Sequence, residues 1–489
     1  MQGIGGGTQM IVALALLLLI AVATWLKVRT ARHDGSEKDV FLAGGGLSWL
    51  FVAGSITLTN LSTDQLVGMN GNQMLLLAWW EISGFVGLLI LAFVFVPIYY
   101  RNNCTTVTEL LERRYQGDAT SVRTLISALF LFGNILIYLP AGLYSGGLFL
   151  QSLFGPAVPL IVFAGLLAVV SAAYTITGGL RAVAVMDTYS GFGVLAIAVL
   201  IVILALAAVH FDIWTNVPAE RVSMVGAADS PIPFHTLFTG MIFIQIFYWS
   251  TNQNITQKAM TAPTVREAQK GILAAAVVRI LIIPIIVTVP GVVAYKLMGN
   301  VGDRAFGLLV GQVLPPWLSG AFAAMIAAAV IAHTAAVLNS TVALYSIDFH
   351  DRFIGKVRNH WRLSMIASIA VTISSIALVP LYENATSIIN LLQKLNGLSS
   401  MPILSAFIVG LLFRGVQARA ATAGVVWGVA LYALFTFWLE PNKLIPLHYI
   451  DFMVVTLASS VLVALTINRL VLRQRATFIG FGQRATAVA

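Results

Sequence analysis

Two ionisable side chains lie inside long apolar stretches of the sequence. Glu81 follows Ala78-Trp79-Trp80, and Arg279 has apolar neighbours on both sides. A charge inside a membrane segment is costly and usually serves a function, so these residues either pair with each other or face a polar cavity. Similar apolar stretches hold amide and aromatic side chains, namely Asn60, Gln65, Trp80, Gln245, Tyr248, Trp249 and Gln393.

This set of side chains suits a polyhydroxylated ligand. Each sugar hydroxyl donates and accepts, which carboxylate, amide and guanidinium groups can match, while indole and phenol rings cover the apolar faces of a sugar. The set predicts a neutral polyol rather than a bare ion or a lipid as the ligand.

Motifs of two other classes of protein do not occur in the sequence. The histidines show no HExxH spacing, which argues against an enzyme, and there is no GxxxxGK[ST] phosphate loop, which argues against a primary pump.

The elements that must position these side chains are membrane helices. Hydrophobic residues make up 59% of the 489 residues and charged residues only 10%, whereas soluble proteins carry about 25% charge. This composition excludes soluble classes, including nucleic-acid binders, despite a net charge of +9. A crossing helix needs about 20 apolar residues. Thirteen runs qualify, near 8–27, 44–70, 75–99, 122–151, 157–175, 182–208, 234–256, 270–297, 316–346, 363–381, 386–413, 417–438 and 446–469.

The distribution of positive charge orients these segments. With the N-terminus outside, 22 of the 28 lysines and arginines fall in inner segments, as the positive-inside rule requires. The sequence therefore predicts an N-out, C-in, multi-pass protein of the plasma membrane, the inner membrane in a bacterium. We expect the lipid bilayer to surround the protein and a monomer to be the transport unit. The net positive charge of the chain reflects its membrane topology rather than an anionic partner.

Two of the thirteen segments are interrupted by polar residues. The second contains the run 57–65, and the seventh contains Gln245 followed by the run 248–253. They lie five segments apart, and interrupted helices at matching positions of two halves are typical of inverted-repeat transporters. We expect each break to expose backbone carbonyls and helix ends near the middle of the membrane, where ions and polar substrates bind.

Several motifs resemble the sodium/solute symporter family, and in particular its sodium/sugar (glucose/galactose) cotransporter branch. The resemblance extends from about residue 40 to 413. It rests on Phe41-Leu42-Ala43-Gly44, Thr59-Asn60-Leu61-Ser62-Thr63-Asp64-Gln65, Gly178-Gly179-Leu180-Arg181 with Asp187, Tyr248-Trp249 with Asn252-Gln253, Glu267-Ala268-Gln269-Lys270-Gly271, Leu338-Asn339-Ser340-Thr341, and Gln393 with Gly397 and Pro402.

The resemblance implies an all-α, five-plus-five inverted-repeat core of the leucine-transporter type with discontinuous helices. The whole chain, 1–489, would form one transporter domain. Residues 41–208 would be the first repeat and 234–413 the second, with an extra helix and inner loop at 8–40 and two extra helices and a tail at 414–489. No cofactor is implied beyond a coupling ion, H⁺ or Na⁺.

The resemblance also implies a sugar site. Its hydroxyl-binding residues would be Gln65, Glu81, Gln245, Arg279 and Gln393, with Asn60 supporting the bend. Tyr248 would act as the inner aromatic gate beside Trp249, and Trp80 would line the cavity. Gln245 stands where asparagine is common and Arg279 where lysine is common, so the substrate could also be a sugar acid held by the arginine. In the fourth predicted segment the family pattern has an asparagine and a tyrosine in the opposite order to Asn134 and Tyr138, so the resemblance assigns neither of them to the site.

The implied sodium site departs from the family pattern. Three carbonyls map to Leu58, Leu61 and Ala329, but the two serine hydroxyls map to Ala332 and His333. Alanine offers no ligand, and imidazole nitrogen suits a hard alkali cation badly. The sodium site is therefore degraded, and a protonated His333 could replace the ion, releasing its proton inward toward Asp187.

The sequence leaves other functions open. One is a sodium-independent uniporter in which His333 merely packs. Another is a sodium symporter, whose substrate could be a sugar acid, with sodium held through Thr334 or Thr59. The last is a non-transporting sugar sensor on the same scaffold.

Overall fold

The computed structural model describes residues 5–29, 46–61, 63–115, 119–356, 360–383, 385 and 387–480, and these form an almost entirely helical bundle. The first half contains α1 Gly5–Arg29, α2 Trp49–Asn60, α3 Thr63–Gly71, α4 Ala78–Ile90, α5 Val96–Arg101, α6 Val107–Arg114, α7 Ala119–Gly133, α8 Leu139–Phe154, α9 Leu160–Ala208 and the short α10 Ala219–Val222. The second half contains α11 Gly240–Ile246, α12 Gln253–Ala259, α13 Val265–Leu281, α14 Ile283–Met298, α15 Ala305–Val313, α16 Pro316–Leu344, α17 His360–Leu378, α18 Ile388–Leu412, α19 Ala418–Leu434 and α20 Tyr449–Leu470.

Shorter elements join or extend these helices. Turns of π-helix occupy Leu91–Phe95, Asn134–Tyr138, Phe247–Thr251, Tyr345–Ile354 and Phe435–Leu439. Turns of 3₁₀-helix occupy Leu75–Leu77, Phe234–Phe238, Gly302–Arg304 and Val379–Tyr382. Two short strands, β1 Phe413–Arg414 and β2 Thr477–Phe478, pair antiparallel and attach the C-terminal segment to the end of α18.

Within the described part of the chain, eleven continuous helical segments are long and apolar enough to cross a membrane. The two remaining predicted segments, 44–70 and 234–256, are the ones with polar interruptions, and both are broken in the structure. α2 ends where Leu61 leaves helical geometry at φ −78° and ψ 48°. The second break is at Asn252, whose side chain accepts a hydrogen bond from the backbone of Asn254 and so caps α12.

α9 is helical over 49 residues, a length of about 74 Å if it were straight. Both of its ends nevertheless contact the same loop. Leu160 lines a cavity together with Val301, and Ala205 packs in a cluster that includes Val301 and Ala305. A single straight helix cannot bring both ends to the same loop, and the portions 160–177 and 190–208 are separate candidate crossing segments.

Two glycines of α4 allow the second broken helix to approach closely. A Cβ atom on Gly84 would lie 3.1 Å from Arg279 Nε and from Trp249 Nε1. A Cβ atom on Gly87 would lie 2.5 Å from the carbonyl oxygen of Gln245, which no side chain could tolerate. These small residues bring α4, α11 and α13 together at the level of the broken helices.

Candidate functional site

A small polar cavity lies between the two broken helices and the helices packed on them. Its volume is about 60 Å³, below the roughly 300–1,000 Å³ of typical ligand sites. Eight of the nine predicted substrate-binding residues line it. The full lining is Asp64, Gln65, Trp80, Glu81, Tyr138, Ile244, Gln245, Tyr248, Trp249, Arg279, His333, Ile389, Leu392, Gln393 and Asn396.

The two intramembrane charges meet in this cavity. Arg279 forms an ion pair with Glu81, and both side chains are almost completely buried. Gln65 donates a hydrogen bond of 2.8 Å to Oε1 of Glu81, and the guanidinium carbon of Arg279 lies 4.4 Å from the centre of the Trp249 ring. The sequence leaves open whether Glu81 and Arg279 pair with each other or face a polar cavity, and in the structure they do both.

Gln245 connects the second broken helix to α4. Its Nε2 donates to the carbonyl oxygen of Trp80 at 2.7 Å and to the hydroxyl of Ser83 at 3.0 Å. Its Oε1 accepts from the indole Nε1 of Trp249 at 3.0 Å. Tyr248 packs edge-on against Trp249, with ring centroids 5.3 Å apart. The amide and the two rings therefore form one rigid wall of the cavity.

The opposite wall is formed by α18 and the π-turn before α8. Tyr138 donates its hydroxyl proton to Oδ1 of Asn396, and Asn396 donates to Oε1 of Gln393 at 3.4 Å. Asn396 is absent from the predicted set, although it stands one helical turn from Gln393. Asn134 lies outside the cavity, where it donates to the hydroxyl of Thr341. Of the reversed pair, only Tyr138 faces the site.

His333 and Asp64 bring further ionisable groups to the same cavity. His333 lies on α16, and Asp64 lies in the first turn of α3, directly after the first break. Asp64 belongs to the sequence motif at the first break but is absent from the predicted set of site residues. With a neutral imidazole, the charges that line the described cavity are Asp64, Glu81 and Arg279, which sum to one negative charge.

The structure describes the side chains of only some of the residues that the resemblance assigns to the sodium site. Leu61, Ala329 and Ala332 are buried, and α16 contacts both halves of the first broken helix. The side chains of Leu58, Asn60 and Asp187 lie outside the described part of the structure. The side chain of Ala332 supplies no ligand. Of the mapped positions, those of the described residues therefore offer a cation backbone carbonyls and the imidazole of His333.

The residue after His333 on α16 is a threonine. Thr334 is buried, and its Oγ1 has no hydrogen-bond partner among the described residues. A threonine hydroxyl inside a helix ordinarily bonds to a carbonyl one turn earlier. Its oxygen therefore remains available as a ligand.

The cavity is closed toward the face predicted to be outer. There α3 and α18 pack so tightly that a Cβ atom on Gly68 would lie 2.9 Å from Ile388 and 3.0 Å from Ile389. Asn72, directly after α3, donates to the hydroxyl of Ser387 at 3.2 Å and accepts from Asn390 at 3.3 Å. A substrate can reach the cavity from this side only if α18 moves away from α3.

Comparisons with known proteins agree with this architecture. Residues 40–428 match the sodium:solute symporter family. The uncharacterized symporter YidK of Escherichia coli (strain K12) is 32% identical over 477 residues, which cover 92% of this chain and 82% of that protein. The sodium/glucose cotransporter of Vibrio parahaemolyticus is 28% identical, with 93% of this chain and 88% of that protein covered.

A solved structure of a Na⁺-coupled sialic acid symporter superimposes with a TM-score of 0.80 at 19% identity, covering 98% of this chain and 100% of the other. The predicted leucine-transporter-type fold is thereby confirmed, and so is the multi-pass membrane location. The number of crossings and the N-out orientation stay predictions. The family and the fold support cation-coupled symport of a small solute. This chain belongs to the sodium:solute symporter family.

Proposed function

We propose that the protein is a sugar symporter that moves a neutral, hexose-like sugar through the cavity between the broken helices. The observation that carries the proposal is the lining of that cavity. Carboxylate, amide and guanidinium groups converge there with two indole rings and a phenol ring. This combination matches the hydroxyls and the apolar faces of a sugar ring. The sodium/glucose cotransporter similarity points to the same class of substrate.

The charge of the cavity favours a neutral sugar over a sugar acid. The fork of Arg279, which could hold a carboxylate, is paired with Glu81. Asp64 adds a second negative charge to the same cavity. An anionic substrate would therefore enter a site that already carries excess negative charge, and repulsion between like charges in a low-dielectric site is strong. Arg279 instead presents Glu81 and Trp249 in fixed positions for hydroxyl and ring contacts.

Transport follows by alternating access. The cavity is much smaller than a sugar site in its open form must be, and the packing of α3 on α18 closes its outer side. Movement of the two repeats, 41–208 and 234–413, around the broken helices would open it to one side at a time. Tyr248 and Trp249 would separate the sugar from the inner side. A single transport unit is sufficient for this cycle.

The same excess negative charge calls for one cation per cycle. We place a proton on His333, because the imidazole lines the cavity and because the family resemblance maps this residue to a sodium-binding serine. Protonation of His333 brings the charge of the lining groups to zero without any alkali ion. Binding of the proton and of the sugar then stabilise the same occluded arrangement, and the coupling between them is reciprocal.

Sodium coupling is the second candidate, and one observation favours it. The hydroxyl of Thr334, next in sequence to the mapped positions Ala332 and His333, has no hydrogen-bond partner among the described residues. Together with backbone carbonyls at the first break, it would supply the hard oxygen donors that an alkali cation prefers.

Uptake of a solute panel into proteoliposomes tests the sugar assignment. The panel contains neutral hexoses, myo-inositol and hexuronates, and each is measured with the wild-type protein and with Gln393→Ala. We expect saturable uptake of a neutral hexose and loss of affinity in the variant. Gly165→Ala serves as the matched control, because a Cβ atom there meets nothing within 4 Å. Transport of a hexuronate alone, or of no sugar at all, would refute the assignment.

A further inference from the structure

A carboxylate that the proposed transport mechanism does not use lies at the outer closure. Asp303 belongs to the 3₁₀ turn Gly302–Arg304, between α14 and α15. This turn touches the end of α3 and the start of α18 at once. A Cβ atom on Gly71 would lie 2.4 Å from Oδ1 of Asp303, and Oδ2 of Asp303 accepts a hydrogen bond of 2.9 Å from the backbone N–H of Ile388.

Two hydrogen bonds hold the loop around Asp303 on the segment after α3, and one hydrogen bond joins it to α18. Gln73, two residues beyond α3, donates to the carbonyl oxygen of Gly299 at 2.9 Å and accepts from the backbone N–H of Val301 at 3.2 Å. The bond from Ile388 is therefore the link between this loop and the helix that must move when the site opens outward. Asp303 stands at the interface that separates on opening.

The two oxygens of Asp303 differ in their surroundings. Oδ2 accepts the bond from Ile388, whereas Oδ1 is buried without a donor among the described residues. Burial raises the pKa of Asp303 to about 6, and the bond from Ile388 lowers it by less. A proton on Oδ1 would remove the uncompensated charge of the buried oxygen and leave the bond at Oδ2 in place.

Few other charged groups face this carboxyl. Its own turn contributes Arg304, α8 contributes the phenol of Tyr144, and the segment after α17 contributes Glu383. The facing ends of α3 and α18 present only neutral residues, Gly71 and Ile388. Among the described residues that line this outer cavity, Asp303 and Glu383 carry the two carboxyl groups.

We propose that Asp303 is a proton-binding latch that holds the outer side of the transporter closed in an acidic medium. When α18 moves away, Asp303 becomes hydrated and recovers the ordinary affinity of an aspartate for protons. Because the closed state binds the proton more tightly, protonation favours the closed state, as linkage requires. This effect is separate from the sugar and from the coupling ion at His333.

The size of the effect follows from the two proton affinities. With a pKa of about 6 in the closed state and 3.8 in the hydrated state, lowering the pH from 7 to 5 shifts the equilibrium toward closure by about tenfold. At pH 7 both states are ionised, and the latch has almost no effect. Stabilisation of the closed state is thus gained as the pH falls through about 6.

Accessibility of a cysteine behind the closure measures the latch in the full-length protein. Ile389→Cys places a thiol in the cavity under the closed helices, where Ile389 is 2% exposed. Intact cells are treated with a membrane-impermeant thiosulfonate at pH 7 and pH 5. Each rate is divided by that of Val225→Cys, an exposed position on the outer loop, to remove the pH dependence of thiol chemistry.

The relative labelling rate should fall by about tenfold at pH 5, because labelling requires the open state. Adding Asp303→Asn, which mimics the protonated carboxyl, should slow labelling at pH 7 to the acid level and remove the pH dependence. Glu383→Gln is the matched control and should keep it. Asp303→Ser provides a second non-titrating variant in case the asparagine variant does not fold. Retained pH dependence in the Asp303 variants, or its loss in Glu383→Gln, would overturn the proposal.

Discussion

Replacing Glu81 by Gln should destabilise the protein strongly while changing few atoms. The glutamine keeps an oxygen that can accept the bond from Gln65, but it removes the charge that faces Arg279. Arg279 has 3% of its side-chain surface exposed, so it would stay buried and uncompensated. Removing one partner of a buried ion pair costs about 3–5 kcal/mol. We expect a loss of that size in the free energy of unfolding, together with loss of sugar uptake.

The double variant Glu81→Gln/Arg279→Met is the matched control for this prediction. It removes both charges and keeps an unbranched side chain under the Trp249 ring. Replacing a buried ion pair by neutral groups of similar volume is often neutral or stabilising. The double variant should therefore unfold at or above the wild-type free energy, yet still fail to transport, because two proposed hydroxyl-binding groups are gone.

Unfolding in mixed detergent–lipid micelles, measured for both single variants and the double variant, gives the coupling energy of the pair. A coupling energy near zero, with Glu81→Gln as stable as the wild type, would refute the view that the two charges depend on each other. Sugar uptake by the double variant at the wild-type rate would refute their proposed role in binding.

Three further predictions concern the ion, the sugar and the packing of the site. Replacing both Ala332 and His333 by Ser restores two hydroxyl ligands, so sodium should stimulate uptake, as measured with a sodium gradient at constant pH; indifference to sodium contradicts the mapped positions. Tyr138→Phe removes one hydrogen bond of about 0.5–1.5 kcal/mol, and the KM for sugar should rise by about twofold to twelvefold if that hydroxyl also orients the sugar. Gly87→Ala places a Cβ atom 2.5 Å from a carbonyl of the second broken helix and should abolish uptake, whereas Gly165→Ala should not; equal uptake by both would show that the close approach is unnecessary.

Much of the fold could be predicted from local patterns. The lengths of the apolar runs and the two polar interruptions indicate the broken helices, because an interruption in a membrane helix is visible in the sequence itself. The sequence also predicts two crossings in the region of α9, at 157–175 and 182–208, and the structure has candidate crossing segments at 160–177 and 190–208. The small residues Gly84 and Gly87 gave no separate signal, because their role depends on which helix packs against them.

The site was predictable where side chains are conspicuous in an apolar context. Glu81 and Arg279 fall in this class, and the structure brings them together. Asn396 could have been found from its spacing to Gln393 on one helix. Asp64 and Asp303 could not be assigned a place from the sequence, because their surroundings are set by contacts between distant segments. The family resemblance maps His333 to a sodium position, and in the structure His333 also lines the cavity of the proposed substrate.

Uptake of the transported hexose into proteoliposomes, with a proton gradient and a sodium gradient imposed separately, tests the central claim most directly. An inward proton gradient should drive accumulation of the sugar above its equilibrium concentration, and a sodium gradient at constant pH should not. His333→Ala should abolish accumulation while allowing equilibration of the sugar. Accumulation driven by sodium and indifferent to pH would contradict the assignment of the proton to His333.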